Sequence, residues 1–546
     1  MSEYDVIIVG AGAGGCIAAG ILCEAGKRVL LLERGRALSD ADLGRDHLRN
    51  QRLSLYDHNA GPDREGNPRT FITSDGNRHT IKPHHWGYSN NAATVGGGTR
   101  VYGGQAWRFH PKDFRMATEY GVPEGSSLQD WPLTYDDLEP YYEKAEWEVG
   151  VCGEDGANNE NIPRKRGYPM PPVNPNPQTR ALKKGADALG WKTFAVPQLL
   201  NTIPYNDRPA CTSCSYCVGF ACQANSKNGT HNTFLPRALA TGLCDLITSA
   251  MTEKIETDAQ GKVTGITYLV EENGTIRRKT VFSKAVVVSG GATETARLLL
   301  NSVSVLHPNG LGNHSDGVGR HLQGHYYPTV NGITEEICVD GWGPGPSITT
   351  GRFSHGNPGV IGGGMLLDDF IRLPIIHWYR SLPPDLPRWG KINKDWMRQN
   401  YTRTLQLSGP VQDIPNPDGR VTVDPSVKDK YGLPVACLSG TTHPETVNTA
   451  EYIRERALEW MKASGAVHIW SAKNGLSLSG GQHQAGTARM GNDPATSVTD
   501  KWGRVHHHDN LYVMDASLHV TNGGFNPVLT VMALAIRNAE RLAQTL

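Results

Sequence analysis

The sequence predicts an α/β fold, α+β overall, organised on a parallel sheet, and three stretches carry that prediction. Tyr4–Val9 is a short apolar run ending in Gly10-Ala11-Gly12-Ala13-Gly14-Gly15, followed by a helical stretch to Ala25 and a second apolar run, Arg28–Leu32. Ala285–Ser289 repeats the pattern, with Gly290-Gly291 as its turn and a helical periodicity from Thr293 to Asn301. Leu511–Met514 is a third strand, after which Asn526-Pro527 opens a helix running almost to the end. Glycine-bounded apolar strands alternating with helices build parallel sheets covered on both faces. At 546 residues the chain predicts three or four domain-sized units and a core that needs no staples. Lys plus Arg and Asp plus Glu both number 54, and this zero balance argues against nucleic acid or an anionic membrane as the main partner. No apolar run reaches the roughly 18 residues of a membrane helix, so no membrane insertion is expected. Met1–Asp5 carries no basic or small-residue leader. A cytoplasmic location as encoded is therefore expected, with the periplasm open to it through a co-exported partner.

In the first unit each residue type has a task. Gly10 makes the tight turn, Gly12 lets backbone approach a pyrophosphate, and Gly15 allows close helix–strand packing. The helix N-terminus offers N–H groups and a positive dipole end to phosphates, and Gly26 is placed to close the helix. Glu33, ending the second strand, is positioned for ribose hydroxyls. Strand, turn, helix, strand and acid in register make a dinucleotide site, without choosing between NAD and FAD.

Val95–Gln105 carries five glycines between Gly96 and Gly104. Such a segment either lies against a flat ligand or is a mobile loop. Asp130–Val149 opens a helix whose start, Thr134 with Asp137, resembles a capping box. Asn158–Gln178, with six prolines, predicts an extended surface loop with a solvated Arg164-Lys165-Arg166 run. Near the C-terminus, Gly480–Gly491 reads Gly-Gly-Gln-His-Gln-Ala-Gly-Thr-Ala-Arg-Met-Gly. Asn526 as cap and Pro527 at the first helical position predict a sharp helix start. No internal repeat is visible.

Gly10–Gly15 with Glu33, the Val95–Gly104 segment, Gly290–Leu300, and the ending Gly480–Gly491, Leu511–Ser517 and Asn526–Thr530 resemble the glucose–methanol–choline (GMC) oxidoreductase family over nearly the whole chain. Within it, Trp107-Arg108-Phe109, Trp131–Tyr142 and Tyr168–Pro172 are most similar to the FAD-dependent sugar dehydrogenases, flavoprotein subunits acting on gluconate, glucose or glycosides. The resemblance implies a Rossmann-like FAD-binding domain assembled from 1–115, 223–330 and 475–546. It also implies a substrate domain, 116–222 and 331–474, on a large antiparallel sheet. The implied FAD contacts are Gly10, Gly12, Gly15, Glu33, Arg34, Gly97, Gly98, Thr99, Gly103, Gly104, Gln105, Thr252, Gly290, Asp515, Ala516, Asn526, Pro527 and Val528. His483 and Asn526 match the pair that faces the flavin and the substrate alcohol. A neutral imidazole suits removal of the hydroxyl proton, flavin N5 takes the hydride, and Asn526 can hydrogen-bond the substrate oxygen. The helix start at Asn526-Pro527 would stabilise negative charge on a reduced flavin. Val101 stands where some relatives attach FAD through a histidine, so FAD is expected to be non-covalent.

Cys211, Cys214, Cys217 and Cys222 read Cys-x2-Cys-x2-Cys-x4-Cys. Some relatives hold a [3Fe–4S] cluster in this region, but the spacing departs from the Cys-x2-Cys-x2-Cys-x3-Cys of ferredoxins. An iron–sulfur cluster, a structural zinc site, and free thiols or disulfides all stay open. His506-His507-His508 reads as a solvated turn. His321 and His325 have helical spacing but lack the Glu of an H-E-x-x-H site, and no G-x-S-x-G appears, which argues against hydrolysis. The expected activity is oxidation of a CH–OH group of a sugar or glycoside to a carbonyl, with electrons leaving to a non-NAD acceptor such as a small subunit or cytochrome. The alternatives are an alcohol oxidase using oxygen, a flavin-dependent lyase with structural FAD, and a non-catalytic FAD-binding module.

Overall fold

The computed structural model describes residues 3–46, 60–85, 87–88, 92–156, 162–368 and 373–546; the Asn158 start of the proline-rich loop lies outside them. Strand β1 (Tyr4–Val9), helix α1 (Ala13–Glu24) and strand β2 (Val29–Leu32) form the expected first unit. β1 pairs in parallel with β2 on one side and with Thr275–Val288 on the other. Cys244–Ile247 extends the parallel sheet beyond β2, and Leu511–Val513 pairs with Val286–Val288. Ten of the twelve residues of α1 are buried, because it is enclosed between this sheet and the helices Phe234–Ala240 and Val528–Thr545.

The strand expected at Ala285–Ser289 begins ten residues earlier. Its exposed first half pairs antiparallel with Val263–Glu272, which in turn pairs with Ala250–Thr257. That half is polar and solvent-facing, so it lacks the apolar signature of its buried end. A second sheet is antiparallel, in the order Thr349–Thr350, Leu366–Asp368, Thr404–Ser408, Val330–Ile333, His468–Ser471. Leu182 on Pro177–Ala188 and Ile453, Trp460 and Met461 on Pro444–Ala463 pack against Val330 and Leu405 of this sheet. Arg69–Ile72 joins Pro434–Ser439 in a third sheet, and Gln323–His325 pairs with Gln482–Ala485 in a two-stranded ribbon. Among the described residues no helix is long and apolar enough to cross a membrane.

Thr134 caps Tyr135–Ala145 as expected: its Oγ1 accepts from Asp137 N at 3.2 Å, and its own N–H donates to the Asp137 carboxylate at 2.8 Å. Four other expectations are corrected. The last helix begins at Val528 with Pro527 as its N-cap, and Asn526 does not cap it, because no backbone N–H of the first turn donates to its Oδ1. Arg164 is not solvated: with Arg108 it clamps the fully buried Glu146 carboxylate, at 2.6 and 2.7 Å, since a buried charge demands partners. Of the three consecutive histidines His507 is exposed, whereas His508 is buried with its ring 5.1 Å from that of His307. His321 and His325 share no helix; the first has φ +62° and the second ends a strand.

Candidate active site

One cavity of about 550 Å³ runs from the C-terminal ends of β1 and β2 to the Gln323–His325/Gln482–Ala485 ribbon. Its first end is shaped by backbone. A Cβ on Gly10 would lie 2.3 Å from Ser289 O, one on Gly14 1.7 Å from Met514 O, and one on Gly15 1.9 Å from Gly10 O. Gly12 differs, since nothing lies within 4 Å of its Cβ position and the residue faces the cavity. Gly96 N donates to Ala11 O at 2.7 Å, which seats the second glycine segment on the first. Glu33 is buried, and burial pushes its carboxyl up. Its oxygens accept from Ala11 N at 3.0 Å and Gly35 N at 2.8 Å, leaving a lone pair on each for a ribose. Arg34 pairs with Glu294 at 3.0 Å. Burial alone would raise the Glu294 carboxyl, but Arg34, Arg297 and Arg69 hold it well below its usual range. Asp515 accepts from Gly291 N at 2.9 Å and Thr295 Oγ1 at 2.6 Å, which ties the Gly290-Gly291 turn to Ala516.

The other end is shaped by side chains. Across the ribbon Gln482 faces His325 and Ala485 faces Gln323, so His483 and Gln484 together oppose Gly324. This bulge re-aims the strand and leaves His483 at φ +61°, a conformation that non-glycine residues hold only when their surroundings enforce it. His483 Nδ1 lies 2.9 Å from His325 Nδ1 and 3.2 Å from the Tyr327 hydroxyl. Asn526 Nδ2 donates to that hydroxyl at 3.3 Å. Trp131 Nε1 donates to Thr521 Oγ1 at 2.8 Å. The Phe109 ring lies 3.2 Å from a Cβ position on Gly523. The aromatic motifs 107–109 and 131–142 thus support the 519–526 loop from below.

All the residues singled out for cofactor or catalysis line this cavity except Gly15, which is packed beneath it. His325 and Tyr327 are site residues that the sequence reading missed. Tyr327 lies two residues past the strand that His325 ends, and nothing local announces partners 158 and 156 residues away. Two buried polar atoms without partners, Thr252 Oγ1 at one end and Asn526 Oδ1 at the other, belong to cavity-lining residues. With the open face at Gly12, they fit an elongated dinucleotide that carries a polar group at each end.

The GMC oxidoreductase family matches residues 4–327 and 415–535. The chain belongs to the GMC oxidoreductase family. It is accordingly an FAD-dependent oxidoreductase. This GMC oxidoreductase is 31% identical to 6'''-hydroxyparomomycin C oxidase of Streptomyces lividus, over 100% of this chain and 92% of the relative. It is 32% identical to 2-methyl-1,2-propanediol dehydrogenase of Mycolicibacterium austroafricanum, over 99% and 95%. It is 28% identical to the fructose dehydrogenase large subunit of Gluconobacter japonicus, over 99% and 98%. The fold is shared with pyridoxine 4-oxidase from Mesorbium loti, with a TM-score of 0.63 at 15% identity over 99% of both chains.

Among the described residues, the four clustered cysteines of this GMC oxidoreductase are not gathered as a metal-ligand set. No three His, Cys, Asp or Glu side chains among those residues are placed to hold a metal ion, so neither the cluster nor the zinc reading finds support. Two of the four sulfurs accept backbone hydrogen bonds. Cys211 Sγ accepts from Ser213 N at 3.3 Å and Cys222 Sγ from Ser226 N at 3.4 Å. Burial pushes the Cys217 thiol up to about 12. Lys227, beside it, donates its ammonium to the carbonyls of Tyr102, Cys217 and Phe220.

Proposed function

We propose that this GMC oxidoreductase converts a CH–OH group of a sugar or glycoside to a carbonyl, with His483 as the base. The reading is carried by the His483–Tyr327–Asn526 contact at one end of a cavity whose other end suits a dinucleotide. Bound FAD supplies a two-electron acceptor for the hydrogen on carbon. His483 takes the hydroxyl proton on its imidazole. Asn526 holds the substrate oxygen with the Nδ2 hydrogen that Tyr327 does not use. Tyr327, Thr329, Ser408 and Gln482 give this end a polar wall suited to a polyhydroxylated molecule. Val101 lines the cavity with an aliphatic side chain, in keeping with FAD held non-covalently. Segments 1–115, 223–330 and 475–546 serve the flavin in this reading, and 116–222 with 331–474 the substrate.

Relatives named for an aminoglycoside and for fructose support the substrate class. The relative named as a large subunit supports electron transfer to a partner, such as a small subunit or cytochrome. The relative named an oxidase favours oxygen as the second candidate acceptor. An anaerobic titration with a panel of monosaccharides, glycosides and simple diols, following flavin absorbance, tests the proposal. Bleaching by a sugar or glycoside is expected, and His483→Ala should keep FAD but slow the bleaching roughly 10²- to 10⁴-fold. Failure of every sugar to bleach a chemically reducible flavin would overturn the sugar assignment. Peroxide formed in air decides for oxygen against a protein acceptor.

A further inference from the structure

We propose that His325 is a positioning residue that fixes His483 in the tautomer protonated on Nδ1, leaving the basic lone pair on Nε2. The inference rests on the reading of His483 as the base. His325 Nε2 lies 2.8 Å from Gly523 O and 3.2 Å from Asn522 O. Carbonyl oxygens only accept, so Nε2 carries the hydrogen. Burial pushes the pKa of His325 down to about 4, so at neutral pH the ring is uncharged and its Nδ1 is a bare acceptor. That Nδ1 is 2.9 Å from His483 Nδ1. Two bare nitrogens at this distance would repel each other, so the hydrogen between them belongs to His483. A neutral imidazole has one N–H, and the remaining lone pair of His483 is therefore on Nε2.

Two backbone carbonyls thus set the protonation of the base through one intervening ring. The same loop holds both rings, because Asn522 Nδ2 also donates to His483 O at 2.7 Å. Gly523 can present its carbonyl this way because it adopts φ +63° with Phe109 against it. Once Nε2 receives the substrate proton, the Nδ1–H bond to His325 becomes charge-assisted and strengthens. Without that acceptor His483 is free to adopt the Nε2–H tautomer, which cannot take a proton at that atom.

The test uses holoenzyme labelled with ¹⁵N-histidine, with His483 identified as the ring whose two-bond ¹⁵N–¹H correlations vanish in His483→Ala. The native protein is expected to show the Nδ1–H pattern. His325→Leu should shift it toward Nε2–H, and His325→Asn, whose Oδ1 replaces the accepting nitrogen, should keep it. With the sugar that bleaches the native protein, the limiting rate of flavin reduction should fall roughly 10- to 100-fold in His325→Leu. In His325→Asn it should stay within about threefold, with FAD content and KM little changed in both. An Nε2–H pattern in the native protein overturns the proposal, as does an equal fall in the two variants. If His325→Leu fails to fold, the native spectrum and the Asn variant still decide. Should His483→Ala reduce its flavin at the native rate, the base assignment fails, and the ring spectrum still reports the tautomer.

Discussion

The two ends of the cavity are held by different physical means. At the nucleotide end the walls are backbone, and the decisive residues are those that lack a side chain: Gly10, Gly14 and Gly15 leave no space for a Cβ, and Gly12 leaves its space to the ligand. At the redox end the walls are side chains drawn from three segments, with Asn526 meeting Tyr327 across 199 residues of chain. The difference follows from the chemistry. A phosphate needs N–H groups and room, which a rigid turn supplies. A proton transfer needs one particular nitrogen bare, which only a defined chain of donors and acceptors supplies.

The comparison breaks most sharply at the glycines. Gly14→Ala places a methyl 1.7 Å from Met514 O, backbone that cannot step aside. It should cost about 3 kcal/mol or more of stability and lower FAD content by unfolding the chain. Gly12→Ala meets nothing in the protein, so apoprotein stability should stay within about 0.5 kcal/mol while FAD affinity falls. Thermal unfolding of the two apoproteins, with flavin titration, checks both. Equal destabilisation by the two would mean that the nucleotide end is not backbone-limited.

A second contrast lies beneath the redox end. Asp413 accepts from Gly324 N, next to His325, at 2.9 Å and from Thr446 Oγ1 at 2.9 Å. Burial pushes its carboxyl from the usual 3.8 up to about 6. The folded chain therefore binds this proton more tightly than the unfolded one, and stability falls as pH rises from about 4 to 6 and is flat above. Asp413→Asn removes that slope. The stability of the native protein relative to the variant should drop by about 2 to 3 kcal/mol between pH 4 and pH 7. Denaturant unfolding at the two pH values measures it, and a constant difference would show that Asp413 ionises without penalty.

What was legible in the sequence divides along the same line. β1, α1, β2 and the roles of Gly10 and Gly15 follow from local spacing, because each contact closes within one strand–turn–helix unit. His483 and Asn526 were legible only through their motif neighbours. His325 and Tyr327 were not, since the bulge that turns His483 toward them depends on a strand pairing that no local pattern encodes. The cysteines show the reverse case. Their spacing suggests a shared ion, yet among the described residues no three of them are gathered around one. The Arg164 run looked solvated because its partner, Glu146, is buried on another element.

The smallest expected effect separates the members of the redox network from one another. Tyr327 offers its hydroxyl to His483 Nδ1 at 3.2 Å and to Asn526 Nδ2 at 3.3 Å, both longer than the 2.9 Å between the two histidines. Tyr327→Phe leaves the shorter contact in place, so the tautomer of His483 should persist. The loss is one shared hydrogen-bond acceptor, worth about 1 kcal/mol, or roughly a fivefold slower flavin reduction at saturating sugar. FAD content should be unchanged, because the nucleotide end touches none of these groups. The rate of anaerobic bleaching reads the effect directly. A loss as large as that of His483→Ala would instead make the phenol the group that moves the proton and reduce His483 to its support.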